Sequence, residues 1–153
     1  MTRERAVLTQ VRTAIVAVTP PTAYDGRVAF TYADRDSADD VSARAMTRQF
    51  HLELSGDWAW SGDQAATSYG NSVDVGVDVV MTYRRQASLF EFMCTVLEDV
   101  RAIYQALSAA TAYAAETTGM WRIQPQTFDV VGGDRVNDLA IVTMPLIITF
   151  DPE

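Results

Sequence analysis

Residues 73–85, VDVGVDVVMTYRR, are followed after two residues by 88–107, SLFEFMCTVLEDVRAIYQAL, and the change of period between them decides the fold class. In the first stretch Val73, Val75, Val77, Val79, Met81 and Tyr83 fall on one side, with Asp74, Gly76, Asp78 and Thr82 on the other. A period of two predicts a strand with one buried face. In the second, Leu89, Met93, Val96, Leu97, Val100, Ile103, Tyr104 and Leu107 recur at spacings of three and four, which predicts a helix with one covered stripe. Ser88 and Glu91 stand three residues apart at its start, the spacing of a capping box in which each side chain meets the other's amide. The strand's apolar face is the natural cover for the helix, so the pair predicts an α+β domain.

Upstream, Met46, Arg48, Phe50, Leu52 and Leu54 alternate with Thr47, Gln49, His51 and Glu53, a second half-buried strand. Between the two lies SGDWAWSGDQAATSYGNS, residues 55–72, which has no period and reads as a long loop. Trp58, Trp60 and Tyr69 stand in it among Gly, Ser and Asp, either as anchors for a partner or as a lid on their own sheet. Nearer the N-terminus, Val7, Val11, Ala14, Ile15 and Val18 share a helical face that Pro20 and Pro21 end. Residues 22–43 read as a solvated loop with a short helical turn after Ser37.

Downstream, AATAYAAETTG frays into a connection closed by Gly119. Residues 120–131 predict a strand broken near Pro125, Gly132-Gly133-Asp134 a turn, and 137–150 a long last strand. The expected order is α-β-β-α-β-β, a mainly antiparallel four-stranded sheet packed by two helices, in a single domain over 1–153. In the last strand Ala140, Val142, Met144, Leu146, Ile148 and Phe150 are apolar, yet so are Leu139, Ile141 and Ile147 on the other face. Both faces want cover, which either the N-terminal helix crossing over or another copy would supply. Pro145 cannot donate to a ladder and suggests an edge or a bulge. An apolar edge left bare invites aggregation, so the reading favours an oligomer.

Composition limits the function classes. With 153 residues, 48% of them hydrophobic, the chain can bury roughly 70% of its unfolded surface. One cysteine excludes a disulfide framework. No apolar run reaches the roughly 20 residues of a membrane helix, and TAIVAV is too short for a signal peptide. A net charge of −8 opposes stable nucleic-acid binding. All twelve basic residues are Arg, which reads as genomic bias or as a supply of bidentate contacts; only Arg84 and Arg85 adjoin, with Arg3, Arg5 and Arg12 scattered near the start.

Chemistry is sparse. His51 lies on the polar side of its strand and reads as a surface residue, Cys94 as a small buried hydrophobe. Asp74 and Asp78 share a strand face but stand roughly 13 Å apart, too far for a shared cation. The run Asp34, Asp36, Asp39, Asp40 begins like a calcium loop but lacks its central Gly and final Glu. No phosphate loop, nucleophile elbow or zinc spacing occurs. The expectation is therefore no catalytic, cofactor-binding or metal residue, and not an enzyme.

The order of parts resembles the tail terminator (tail completion) proteins of long-tailed bacteriophages. The resemblance rests on the proline-ended helix, RQFHLEL, a long loop, VDVGVDVVMTYRR closing on aromatic-Arg, the helix FMCTVLEDVRAIYQAL with its acid at Asp99, and the pair MWRIQPQTFDVV and LAIVTMPLIITF. It implies a structural protein, without catalytic residues, that forms a hexameric ring on the head-proximal end of the tail tube, stops its polymerisation and docks it to the neck. The implied partners are other copies, the tail tube protein and a neck or connector protein, with DNA passing through unbound and no membrane. The implied location is the virion, after assembly in the bacterial cytoplasm. Trp58, Trp60, Tyr69, Arg84 and Arg85 are then interface candidates, and Asp74 and Asp78, or the acidic run 34–40, would face the lumen, where negative charge lets the duplex slide. Another neck component, or a small α+β ligand-binding domain or enzyme, are the alternatives.

Overall fold

Thr2 opens the first helix, its hydroxyl accepting from the Arg5 amide at 3.4 Å. In this computed structural model, residues 2–34, 46–61, 72–118, 120–133 and 138–151 are described, the side chains of 56–61, 72, 110–118, 120 and 121 excepted. Helix α1 (Arg3–Val16) buries Val7, Val11 and Ile15, one residue per turn, and ends four residues before Pro20. Strand β1 (Thr31–Tyr32) is followed by β2 (Gln49–Ser61), β3 (Ser72–Arg84), α2 (Leu89–Thr118), β4 (Met120–Pro125), β5 (Asp129–Gly132) and β6 (Leu139–Phe150). The Ser88 hydroxyl accepts from the Glu91 amide at 3.2 Å, one of the two bonds of the predicted capping box of α2. That helix continues without a fray through Thr118; Gly119 lies outside the described residues.

The strands form one six-stranded mixed sheet in the order β1-β2-β3-β6-β4, with β5 also paired to β6. The domain is thus α+β, but the expected four antiparallel strands are six, and β1 runs parallel to β2. β1 has two residues, too few for alternation to be read, and the other extra strand comes from the break near Pro125, which divides one expected strand into β4 and β5. Residues 120–131 behave as expected: β4 and β5 lie end to end along the same side of β6, interrupted after Pro125.

Pro145 is a correction, because β6 is an interior strand flanked by β3 and by β4 and β5. Its carbonyl accepts from the Gln126 amide at 2.9 Å. A strand residue directs both backbone groups to one side, so the missing N–H faces Gln126, whose carbonyl accepts instead from the Tyr104 hydroxyl at 3.1 Å.

Of the expected loop at 55–72, residues 55–61 and 72 are strand instead, and 62–71 lie outside the described residues. β2 runs through Ser61, and the register jumps from Leu54 opposite Val77 to Trp58 opposite Val75, a bulge that breaks the alternation. Both helices contribute to one core with Val73, Val77, Val79, Met81 and Tyr83 of β3 and the even positions of β6. The N-terminal helix therefore does not cross over. On the opposite face Ile141, Pro145 and Ile147 are half-buried and, among the described residues, no helix covers them.

Candidate interaction surfaces

The most constrained polar group is inside the domain. Arg48 immediately precedes β2, in the turn that leads into it, with a left-handed φ of 62° and an amide donating to the Thr82 carbonyl at 2.8 Å. Its Nε and Nη2 donate to the two carboxylate oxygens of Asp99 on α2, at 2.9 and 3.0 Å. Its Nη1 donates to the Arg27 carbonyl at 2.6 Å. The Tyr83 hydroxyl donates to Asp99 at 2.6 Å, and its ring meets Tyr24 and Phe92 edge-on. Burial, then the neighbouring Asp99 carboxylate, pushes the Tyr83 phenol well above its ordinary range. Burial pushes the Asp99 carboxyl up, against the pull of Arg48 and Tyr83. Arg48 and Asp99 are both 0% exposed, so neither can touch a substrate. They join the start of β2, the end of β3 and the middle of α2.

The predicted acids lie on the face of the sheet opposite α1 and α2. Asp74 accepts from the Thr149 hydroxyl at 2.7 Å. Asp78 stands opposite Pro145 on β6 and Glu53 on β2. Burial, then the Glu53 carboxylate, raises its carboxyl above the usual range. Glu53 also lies 2.7 Å from Nε2 of His51. Among the described residues no group of three or more His, Cys, Asp and Glu could hold a metal ion. Of the acidic run only Asp34 is described, accepting from the Tyr32 hydroxyl; Asp36, Asp39 and Asp40 lie outside.

The interface candidates are dispersed. Trp58 and Trp60 belong to β2, opposite Val75 and Val73, not to a loop, and Tyr69 lies outside the described residues. Arg84 is half-buried, its amide donating to the Thr47 hydroxyl at 3.0 Å. Arg85 donates to the Gly133 carbonyl at 2.9 Å, so its guanidinium is engaged within the chain.

The exposed apolar residues occupy other places. Helix α2 buries Phe92, Thr95, Val96, Asp99, Val100, Ile103 and Leu107, whereas Leu89, Phe90, Met93 and Leu97 are exposed, Phe90 at 66% and Leu97 at 58%. The predicted stripe is thus rotated toward Phe92 and Asp99. Its uncovered flank borders a groove lined by Leu97, Val100, Arg101, Tyr104 and Phe128, and Val130 and Val131 of β5 are exposed as well. At the other side of the sheet a cavity of about 240 Å3 opens between α1 and the strands, lined by Glu4, Val7, Leu8, Leu54 and Val75 among others; Leu54 is 64% exposed. Sequence periodicity could have found this second flank of α2, because Phe90, Met93 and Leu97 recur at three and four. Comparison with known proteins finds no family model that matches the chain and no match among curated proteins.

Proposed function

We propose that the chain is a structural assembly protein of the tail terminator kind, whose copies form a ring that caps the head-proximal end of a phage tail tube and docks it to the neck. The observation that carries this reading is apolar surface exposed at both sides of one sheet, on α2 and β5 at one side and at Leu54 at the other. Contiguous exposed apolar surface is characteristic of interaction sites. The order of long elements supports it too: β2, β3, β6 and β4 form an antiparallel unit within the larger sheet. Asp74 and Asp78, on the sheet face opposite α1 and α2, are the acids that would line the lumen and repel DNA. The reading assigns no catalytic step and no cofactor.

Electron microscopy of the protein alone and mixed with tail tubes tests the proposal. Six-fold rings at one end of each tube are expected, and tubes that lengthen unchecked in its presence refute it. A second reading, another neck component, predicts binding to the connector without arrest of the tube. The apolar cavity beside Leu54 favours a third, a ligand-binding domain. That reading predicts saturable uptake of a small apolar fluorophore, abolished by Val75→Trp.

A further inference from the structure

We infer that copies of this chain join head to tail, the β2 side of one sheet against the β5 side of the next, and the inference rests on the assembly reading above. The first observation concerns strand edges. β1 pairs only with Gln49 and Phe50, so from His51 onward the outer edge of β2 has no strand partner among the described residues. β5 pairs only with β6, which leaves its outer edge in the same state. An unpaired edge is a template for another strand, and each chain offers two, at opposite sides of one sheet.

The second observation is which side chains would meet. Leu52 and Leu54 pair with Val79 and Val77, and Val130 pairs with Val142, so all three lie on the helix-bearing face. Continuing one sheet from β2 into a neighbour's β5, in the phase that keeps faces aligned, puts Leu52 and Leu54 on the same face as Val130, and of the two Leu54 is the more exposed. Leu54 then reaches the apolar groove beside Leu97. Two surfaces exposed in the single chain cover each other.

Charge points the same way. The cavity beside Leu54 has Glu4 as its charged lining residue, and the groove beside Leu97 has Arg101. The signs are opposite, and both residues are exposed. Because the two surfaces differ and do not overlap, the contact is heterologous: each copy has one of each, and repetition gives a ring if the rotation closes.

Sedimentation velocity on wild type, Leu54→Glu, Leu97→Glu and an equimolar mixture of the two variants tests this, with circular dichroism confirming that each folds. Wild type is expected to associate, each variant alone to stay monomeric, and the mixture to form dimers, since each variant retains the surface the other lacks. A mixture that stays monomeric while wild type associates overturns the inference, as do variants that assemble like wild type or a wild type monomeric at every concentration, alone and on tubes. A second pair guards against local disruption: Glu4→Arg and Arg101→Glu each weaken association, and both in one chain restore it; failure to restore counts against the contact. If association follows these rules but tubes are not capped, the contact stands and the terminator reading falls. If tubes are capped equally well by both Glu variants, the reverse holds.

Discussion

Replacing Asp99 with alanine removes the anionic partner of a guanidinium that has no access to water. Arg48 loses its bonds from Nε and Nη2, at 2.9 and 3.0 Å, and the Tyr83 hydroxyl loses its bond at 2.6 Å. What remains is Nη1 on the Arg27 carbonyl at 2.6 Å and the Tyr83 hydroxyl beside the Met81 sulfur at 3.2 Å. Breaking one side of a buried ion pair costs about 3–5 kcal/mol, because the surviving charge is left uncompensated. That is a large part of the roughly 5–15 kcal/mol that holds a domain folded. With a urea slope of about 2 kcal/mol per molar, a loss of about 4 kcal/mol lowers the unfolding midpoint by about 2 M. Far-ultraviolet circular dichroism in urea, at one protein concentration so that association does not shift the result, measures it. The double variant Arg48→Met/Asp99→Leu removes both charges and is expected to lose far less than Asp99→Ala alone. A midpoint for Asp99→Ala within about 0.5 M of wild type, or a double variant less stable than the single, refutes the reasoning.

Asp78→Asn is expected to stabilise the domain at neutral pH by about 0.2–1 kcal/mol, since it removes a carboxylate standing opposite Glu53. The Asp78 carboxyl is raised in the fold, so its contribution is fully favourable below the unfolded value and is lost as pH rises through the folded one. The advantage of the Asn variant should therefore vanish on acidification below about pH 4, and urea titrations across pH that show it growing instead would count against this. Gly132→Ala meets both a φ of 86° and a Cβ position 2.2 Å from the Leu139 carbonyl, whereas Gly26→Ala has a φ of 70° and open space. The latter should lose about 1–2 kcal/mol and the former clearly more, as thermal unfolding would reveal; equal losses would contradict the clash. Leu107→Ala, at a fully buried site, should lose about 2–5 kcal/mol. Leu97→Ala, more than half exposed, should change the monomer by no more than about 0.5 kcal/mol while weakening association, a split that sedimentation and urea unfolding together resolve.

Much of this fold is legible where a period is long. The alternation at 73–85 matches β3, and the proline-ended N-terminal pattern matches α1. The period of α2 identifies a helix but not which arc is buried, because Leu89, Met93 and Leu97 continue the apolar pattern beyond the core-facing Phe92, Val96 and Ile103. Asp99, a charged residue, is buried because Tyr83 of β3 and Arg48 of the 46–48 turn bring it partners on that side of the helix. Arg48 was visible as the one charged residue in an apolar alternation, a signal that its pair with Asp99 explains. The far half of β2 was hidden by its bulge, and β1 by its length. Of the candidate surfaces, the acids on the sheet face follow from alternation, while the α2 flank depends on which neighbours stop short of covering it, a property of the assembled sheet.

β6 pairs along its length with β3 on one side and with β4 and β5 on the other, and it follows all of them in the chain. Chains emerge from the ribosome at about 5–20 residues per second, so for a matter of seconds every long strand except β2 waits for the segment that joins them. Val79 meets Met144 and Val73 meets Phe150 only then, closures of long sequence separation that are intrinsically slow. Neither the β5 edge nor the apolar groove beside it exists before that moment. In the contact proposed above, the order of translation would therefore make the β5 side of a chain available only after its own sheet is closed.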